Sequence, residues 1–270
     1  MAPLAPTTVL RRFWRSPWRD IAQFVLLIVV VVWLVTLSSA RLGYNWQWYR
    51  IPRYFWTVRN GRPVVGELLQ GLGYTLQLSA VSLVCALTLG LVVALLRLSS
   101  SFMGRALSRV YLEITRNTPL VVQIYLAYFV LGPVLGIGRF SSAVLALTLF
   151  EGSYMSEIFR AGITSLHRGQ WEAAYSLGLS TLDSYRFVIL PQAVRRLLPP
   201  LTSEVVSLIK NTSLVSLVSL ADLSMQARVI AADTFLTFEV WFTVALIYLL
   251  IMVPLAITAR WLERRYAIAT

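Results

Sequence analysis

Charged side chains are scarce in this sequence. Only 13% of its 270 residues are Asp, Glu, Lys or Arg, and 57% are hydrophobic. The mean hydropathy is +0.70. A soluble domain has about 25% charged residues, so this composition does not supply the polar surface that such a domain needs. Several segments are apolar over about 17–25 residues, the length of helix that crosses about 30 Å of hydrocarbon. The sequence therefore predicts an integral membrane protein.

Cysteine and histidine are nearly absent as well, with Cys85 and His167 as single examples. One cysteine excludes a disulfide within the chain, and Cys85 lies in an apolar run, where we expect a small core residue. One histidine excludes a multi-histidine metal site, and the sequence offers no convergent catalytic set. A membrane-embedded enzyme is therefore disfavoured, and we expect this chain to bind no metal or cofactor.

Six apolar segments are candidates for membrane spans. Each is expected to be helical, because an isolated segment in lipid must satisfy its own backbone hydrogen bonds. The predicted spans are approximately 20–40, 72–96, 118–137, 141–164, 198–219 and 238–259. The predicted fold class is an all-α membrane protein.

The placement of arginine predicts the orientation of these spans. Of the 24 basic residues all but Lys210 are arginine. Sixteen arginines fall in the loops on one side and seven in the loops on the other, so the richer side is expected to face the cytoplasm. The richer set is Arg11, Arg12, Arg15, Arg19, Arg97, Arg105, Arg109, Arg116, Arg160, Arg168, Arg186, Arg195, Arg196, Arg260, Arg264 and Arg265. Both termini then lie in the cytoplasm, and the net charge of +12 needs no nucleic-acid partner.

Residues 1–65 are predicted to be an addition to a five-helix core at 66–266. Their apolar stretch is long and lacks a small-x-small cleavage site close behind it, which favours an uncleaved anchor over a signal peptide. The exterior loop that follows carries five arginines and seven aromatic residues, Tyr44, Trp46, Trp48, Tyr49, Tyr54, Phe55 and Trp56. We expect these rings to form an interfacial belt, with the arginines at lipid headgroups.

Residues 165–196 carry too many charges to be embedded in lipid. Good helix formers precede Gly178, which can adopt the left-handed conformation that ends a helix. Thr181 or Asp183 can cap a second helix, expected to end near Leu190-Pro191. The sequence therefore predicts two short helices at an angle to each other, at one end of the membrane bundle, where a soluble partner can bind them.

The residue spacing in this segment resembles the signature loop of ABC importer permeases. Glu172-Ala173-Ala174, Gly178, Val188 and Leu190-Pro191 reproduce the pattern E-A-A-x3-G-x9-V-x-L-P. The run Arg168-Gly169-Gln170-Trp171-Glu172 resembles the sub-family that imports polar amino acids, as do residues 116–123 and 154–163. The similarity covers residues 66–266 and leaves 1–65 outside it.

The resemblance implies the transmembrane domain of a type I ABC importer, in a multi-pass protein of the bacterial inner membrane. The 165–196 loop would dock on a cytoplasmic ATPase dimer, whose closure with ATP would switch the bundle between inward- and outward-facing states. The residues implied in this coupling are Gly169, Gln170, Glu172, Ala173, Ala174, Gly178, Leu190 and Pro191.

The same resemblance implies the other subunits of a complex. The sequence has no G-x-x-x-x-G-K-[ST] phosphate loop, so ATP and Mg²⁺ are expected on the partner ATPase. A second permease subunit, identical or homologous, and an exterior substrate-binding protein would complete the complex, which lies among membrane lipids.

Placing an ionisable side chain inside a membrane span costs about 2.5–3.5 kcal/mol on insertion scales. Such residues are therefore expected to have a structural or functional role. Glu151 and Lys210 are expected at similar depths, where they either pair with each other or bind the two charged groups of an amino acid. Glu157 and Arg160 form either a local ion pair or, as the resemblance implies, part of the gate or substrate path. The predicted substrate pathway consists of Gln123, Glu151, Tyr154, Glu157, Lys210, Asn211, Thr212 and Ser213.

The run 210–213 has two interpretations. Four polar residues in one turn are typical of a broken helix that lines a cavity, and they are also compatible with a structural polar contact between helices.

The sequence thus predicts the membrane subunit of an ATP-driven importer of a polar amino acid. Lys210 and the surplus of arginine suit an acidic substrate, whereas Glu151 and Glu157 suit a basic one. Residues 149–154 and 219–222 resemble acidic amino-acid permeases, which gives a slight lean to glutamate or aspartate. The alternative is a proton-coupled secondary transporter, a class that usually has two related halves, and no internal repeat is evident here.

Overall fold

The computed structural model describes residues 21–23, 25–30, 33, 37, 43–59, 61–166 and 168–266, and the chain divides after Gln47 into two units. In the first unit, residues 21–23, 25–30, 33 and 37 are helical. The rings of Tyr44 and Trp46 meet edge to face, with their centroids 5.2 Å apart. The rest of the predicted span 20–40 lies outside the described residues, and so does His167.

The second unit begins with a 3₁₀ helix and a hairpin. The 3₁₀ helix is Trp48–Tyr54. Strand β1, Trp56–Arg59, pairs antiparallel with β2, Arg62–Val65. Gly61, with φ of +71°, lies in the connection and adopts a conformation that favours glycine.

The aromatic residues of this segment do not all lie at an interface. Tyr54 is only 5% exposed and packs with Ile51 against the apolar core, so the prediction of an interfacial ring is wrong for Tyr54. Tyr49, by contrast, is 79% exposed. The chain leaves the hairpin through Gly66, whose amide donates to the Phe55 carbonyl over 2.7 Å. The segment is therefore a folded cap on the second unit.

Eight helices follow the hairpin within the described part of the chain. They are α1 Glu67–Leu98, α2 Phe102–Asn117, α3 Leu120–Leu135, α4 Arg139–Thr164, α5 Arg168–Ser176, α6 Thr181–Val218, α7 Leu223–Thr234 and α8 Thr237–Tyr266. The predicted all-α fold class is confirmed.

Two of these helices are irregular. In α3, α-helical residues Leu120–Tyr125 and Gly132–Leu135 flank a π-helical turn at Leu126–Leu131. In α6, the α-helical part Leu190–Asn211 follows a short α-turn at Thr181–Asp183 and a π-helical turn at Ser184–Ile189, and it tightens to 3₁₀ geometry at Thr212–Val218.

Two helices, α1 and α8, are long and apolar enough to cross a membrane. Two bent pairs also qualify if each pair is one span: α2 with α3, which meet at 107°, and α6 with α7, which meet at 47°. The predicted spans 72–96 and 238–259 fall within α1 and α8. The total of six spans stays a prediction.

A close backbone contact joins α1 to α4. A Cβ atom added at Gly90 would lie 2.9 Å from the Met155 Cβ, 3.0 Å from the Ser156 amide nitrogen and 3.1 Å from the Gly152 carbonyl oxygen. Small residues let membrane helices approach closely enough for backbone contact. This crossing fixes the position of α4, which carries Glu151, Tyr154 and Glu157 and leads directly into the 165–196 loop.

We expect Gly90→Ala to destabilise the protein by about 1–3 kcal/mol, because the new methyl group overpacks the α1–α4 contact. Gly73→Ala is the matched control on the same helix, since a Cβ there meets nothing within 4 Å and alanine is the better helix former by about 0.5–1 kcal/mol. Thermal unfolding of the two purified variants should move in opposite directions. Equal melting temperatures would show that the backbones do not approach as described.

Candidate functional site

The first half of the 165–196 loop is the helix α5. It ends in a Schellman motif, in which Gly178 N–H donates to the Tyr175 carbonyl over 2.9 Å and Leu179 N–H donates to the Ala174 carbonyl over 3.2 Å. Gly178 has φ of +76°. The left-handed glycine that the sequence predicts after the first helix is therefore confirmed.

The second half differs from the prediction in two respects. Ser180, rather than Thr181 or Asp183, is the N-cap, and its hydroxyl oxygen accepts from the Asp183 amide over 3.2 Å. The expected end near Leu190-Pro191 is wrong, because α6 continues through both residues to Val218. Pro191 occupies the first turn after the π-helical segment, where the hydrogen-bonding pattern changes and a missing N–H is tolerated.

The two halves of the loop pack against each other through specific contacts. The Trp171 and Tyr185 rings meet edge to face, with their centroids 4.7 Å apart. The Gln192 side-chain amide donates to the Gln170 Oε1 over 2.9 Å. Ala174 is buried, so a larger side chain there would push α5 outward. The loop is thus a rigid corner.

The outer side of this corner presents a charge and apolar side chains to solvent. Glu172 is 68% exposed, and its carboxylate lies 3.6 Å from the guanidinium of Arg168 in the preceding turn. Leu177 and Leu182 are 80% and 77% exposed on either side of Gly178. Apolar tips of this kind are typical of protein-contact surfaces. Sequence reasoning missed both leucines, because the pattern alone does not say which apolar residues a turn leaves exposed.

The remaining predicted coupling residues lie in the same corner. Gly169 is in the first turn of α5, and Ala173 is exposed on that helix. Leu190 and Pro191 are exposed on α6. The structure therefore brings all eight predicted coupling residues together, while their role in coupling stays a prediction.

Glu151 lies on α4 and is fully buried. Its Oε1 accepts a hydrogen bond from the Asn211 side-chain amide over 2.8 Å, and the carboxyl group of Glu204 on α6 is a second hydrogen-bonding neighbour. Two neighbouring carboxyl groups in a buried place cannot both carry a charge at low cost. The arrangement therefore marks a site where a proton or a cationic group would be stabilised.

Lys210 does not pair with Glu151. It is exposed, and the described part of the chain gives it no ion pair. Because successive residues of a helix point about 100° apart, α6 directs Asn211 toward α4 and Lys210 elsewhere. The expected break at 210–213 is a change from α to 3₁₀ geometry at Thr212, and the chain departs from the helix only at Ser219, which has φ of +55°. Thr212 and Ser213 bond to carbonyls of their own helix.

Glu157 and Tyr154 line a cavity of about 700 Å³ between α1, α2 and α4. Glu157 binds the guanidinium groups of Arg97, on α1, and Arg160, one turn further along α4. The local pair with Arg160 is confirmed, and Arg97 is a partner that the sequence does not indicate, because it lies 60 residues away. Five arginines and two glutamates line the cavity: Arg97, Arg105, Arg109, Arg116, Arg160, Glu113 and Glu157.

Gln123 stabilises the bend between α2 and α3. Its side-chain amide donates to the carbonyls of Thr115 over 2.7 Å and Thr118 over 2.9 Å, which belong to the end of α2. The predicted pathway residues therefore fall into separate places: the bend, the Glu151–Asn211 contact, the arginine-lined cavity and the exposed Lys210.

Comparisons with known proteins show what the whole chain is similar to. Residues 86–268 match the family described as "Binding-protein-dependent transport system inner membrane component". The chain is 37% identical over 209 residues to the glutamine transport system permease protein GlnP of Escherichia coli (strain K12), which covers 76% of this chain and 95% of that protein. It is 36% identical over 239 residues to the L-cystine transport system permease protein TcyB of Bacillus subtilis (strain 168), covering 87% and 97%.

A solved structure is similar as well. The crystal structure of an amino acid ABC transporter with histidines contains a chain that is 35% identical, with a TM-score of 0.68, and the match covers 74% of this chain and 94% of that one.

We expect Gly178→Val to strain the corner by about 1–2 kcal/mol, because a β-branched residue is disfavoured at positive φ. Gly178→Asn is the matched control, since asparagine tolerates this conformation. Hydrogen exchange at the Leu179 amide, which the Schellman motif protects, should accelerate in the valine variant and stay near the wild-type rate in the asparagine variant. Unchanged protection in both would contradict the described turn.

Proposed function

This chain belongs to the family of binding-protein-dependent inner membrane components, the permease subunits of ABC importers, and on that premise we propose that it moves a polar amino acid into the cytoplasm for a separate ATPase docked on the 165–196 loop. The observation that carries the coupling part of the proposal is the rigid corner with exposed Glu172, Leu177 and Leu182. The comparisons give no support to a proton-coupled secondary transporter.

The corner has the properties that a docking element needs. Its outer side offers exposed leucines to an apolar groove and a carboxylate to a basic residue, a combination common in protein interfaces. Its inner side is fixed by the Trp171–Tyr185 contact and the Gln170–Gln192 hydrogen bond. A force applied to the corner is therefore passed to α6 and not absorbed by the loop.

The arrangement of arginines supports the proposed orientation in the bacterial inner membrane, with both termini in the cytoplasm. Five of the sixteen arginines assigned to the cytoplasmic side line one cavity between α1, α2 and α4. The 165–196 loop follows α4 directly and so lies toward the same side. Membership of a family of binding-protein-dependent transport systems supports an exterior substrate-binding protein as a partner. A second permease subunit and an ATPase dimer complete the proposed complex.

The substrate we propose is a polar amino acid, with a slight lean to an acidic one. The similar proteins described above are a glutamine transport permease, an L-cystine transport permease and an amino acid ABC transporter. In this chain the ammonium of Lys210 is exposed, whereas Glu151 is buried. The accessible charges thus favour contact with a carboxylate over contact with a cationic side chain.

We expect Glu172→Lys to leave membrane insertion intact and to abolish ATP-driven uptake, because the reversal places a cation where the ATPase is expected to meet a carboxylate. Glu263→Lys is the matched control, since Glu263 is also exposed but lies near the end of α8. The measurement is uptake by proteoliposomes that contain the permease, ATPase and binding protein, together with ATPase co-purification. Normal transport and normal co-purification by Glu172→Lys would exclude the loop as the coupling element.

A panel of labelled glutamate, aspartate, glutamine, cystine, arginine and histidine tests the substrate in the same proteoliposomes. We expect ATP-dependent uptake with glutamate or aspartate preferred, and a weaker preference in Lys210→Met than in Lys210→Arg, which keeps the charge. Preference for arginine or histidine would reject the acidic lean. Uptake driven by a proton gradient without ATP would reject the proposed class.

A further inference from the structure

The arginine-lined cavity has more positive charge than its own carboxylates neutralise. Five guanidinium groups face it against two glutamates. Glu157 is occupied by Arg97 and Arg160. The remaining arginines are the three on α2: Arg105, Arg109 and Arg116.

Those three arginines have few partners within the described structure. Arg105 donates to the Ser99 carbonyl over 2.8 Å, and Arg116 lies over the Tyr154 ring, 5.0 Å from its centroid. Neither contact supplies a negative charge. Arg109 has no ion pair in the described part of the chain. Guanidinium groups bind phosphate oxygens in a bidentate way, so this cluster suits a phosphate.

A second feature of α2 indicates where the phosphate comes from. Met103, Leu107, Val110 and Ile114 recur every three or four residues and are each more than half exposed, so they form one apolar stripe along the helix. The arginines lie on another face of the same helix, and a third face, with Gly104, Ser108 and Leu112, is buried against the bundle. A helix with apolar and arginine-rich exposed faces is typical of membrane interfaces.

The direction of α2 agrees with that placement. It meets α3 at 107°. If α3 crosses the bilayer, α2 runs close to the membrane plane, with its stripe at acyl-chain depth and the cavity at headgroup level. A soluble anion would account for the arginines alone, whereas a phospholipid accounts for both the arginines and the stripe.

From these observations we propose that the cavity between α1, α2 and α4 binds the phosphate headgroup of an anionic phospholipid, held by Arg109 and Arg116 with its acyl chains along the α2 stripe. The bound lipid then contacts α2 both at its arginines and along its apolar stripe. Only its assignment to the cytoplasmic leaflet rests on the proposed function.

Native mass spectrometry of the complex released from nanodiscs of phosphatidylglycerol and phosphatidylcholine tests this site. The wild type should retain phosphatidylglycerol in preference to phosphatidylcholine. Arg109→Gln/Arg116→Gln should reduce that retention by about thirtyfold, as expected for two lost contacts between arginine and an anionic headgroup. Arg264→Gln/Arg265→Gln, which removes two exposed arginines at the end of α8, should retain the lipid.

Two further arms distinguish the sources of the anion and control for folding. Inorganic phosphate or glutamate at millimolar concentration should not displace the lipid, and Arg109→Lys/Arg116→Lys, which keeps the charge, should retain an intermediate amount. Equal retention by the glutamine variant and the wild type would overturn the proposal, as would displacement by either soluble anion. Because no ATP or transport is involved, these results are independent of whether uptake is observed.

Discussion

Helices α1 and α4 can pack backbone to backbone because Gly90 has no side chain at their crossing, where even a methyl group would meet Met155 and Ser156. In lipid no hydrophobic effect drives helices together, so close van der Waals contact between small residues must supply the association. The crossing places Glu151 in the interior of the bundle and Glu157 beside Arg97 at its end. A shift of α4 relative to α1 would therefore change the surroundings of the Glu151 carboxylate and the shape of the arginine-lined cavity at the same time.

The continuity of α6 is the second constraint on how the molecule works. Its 181–218 range corresponds to about 55 Å at about 1.5 Å per residue. One end lies in the exposed corner beside Ser180, and Asn211, near the other end, binds Glu151. Leu197 of α6 also fills the space left by Gly162 on α4. Because α6 is held at these points, a displacement at the corner would be passed along the helix toward the interior.

The sequence predicts the features that are encoded locally. The all-α class follows from composition. The corner follows from one glycine, Gly178, and the Glu157–Arg160 pair follows from a three-residue spacing. The pairs Arg97–Glu157 and Glu151–Asn211 do not, because each joins residues 60 positions apart through helix packing. The predicted helix end at Pro191 is wrong because proline normally ends a helix, whereas here the π-helical turn before it lets α6 continue.

The Glu151–Asn211 contact links the two ends of the proposed mechanism. The donor of its hydrogen bond, Asn211, comes from α6, while the Glu151 carboxylate comes from α4. A movement of α6 along α4 must change this hydrogen bond, because one helical turn carries Asn211 about 5.4 Å. The carboxylate then needs water, a proton or a substrate ammonium group in place of the amide. If the proposed switching moves α6 along α4, the same movement would open the Glu151 carboxylate to a new partner.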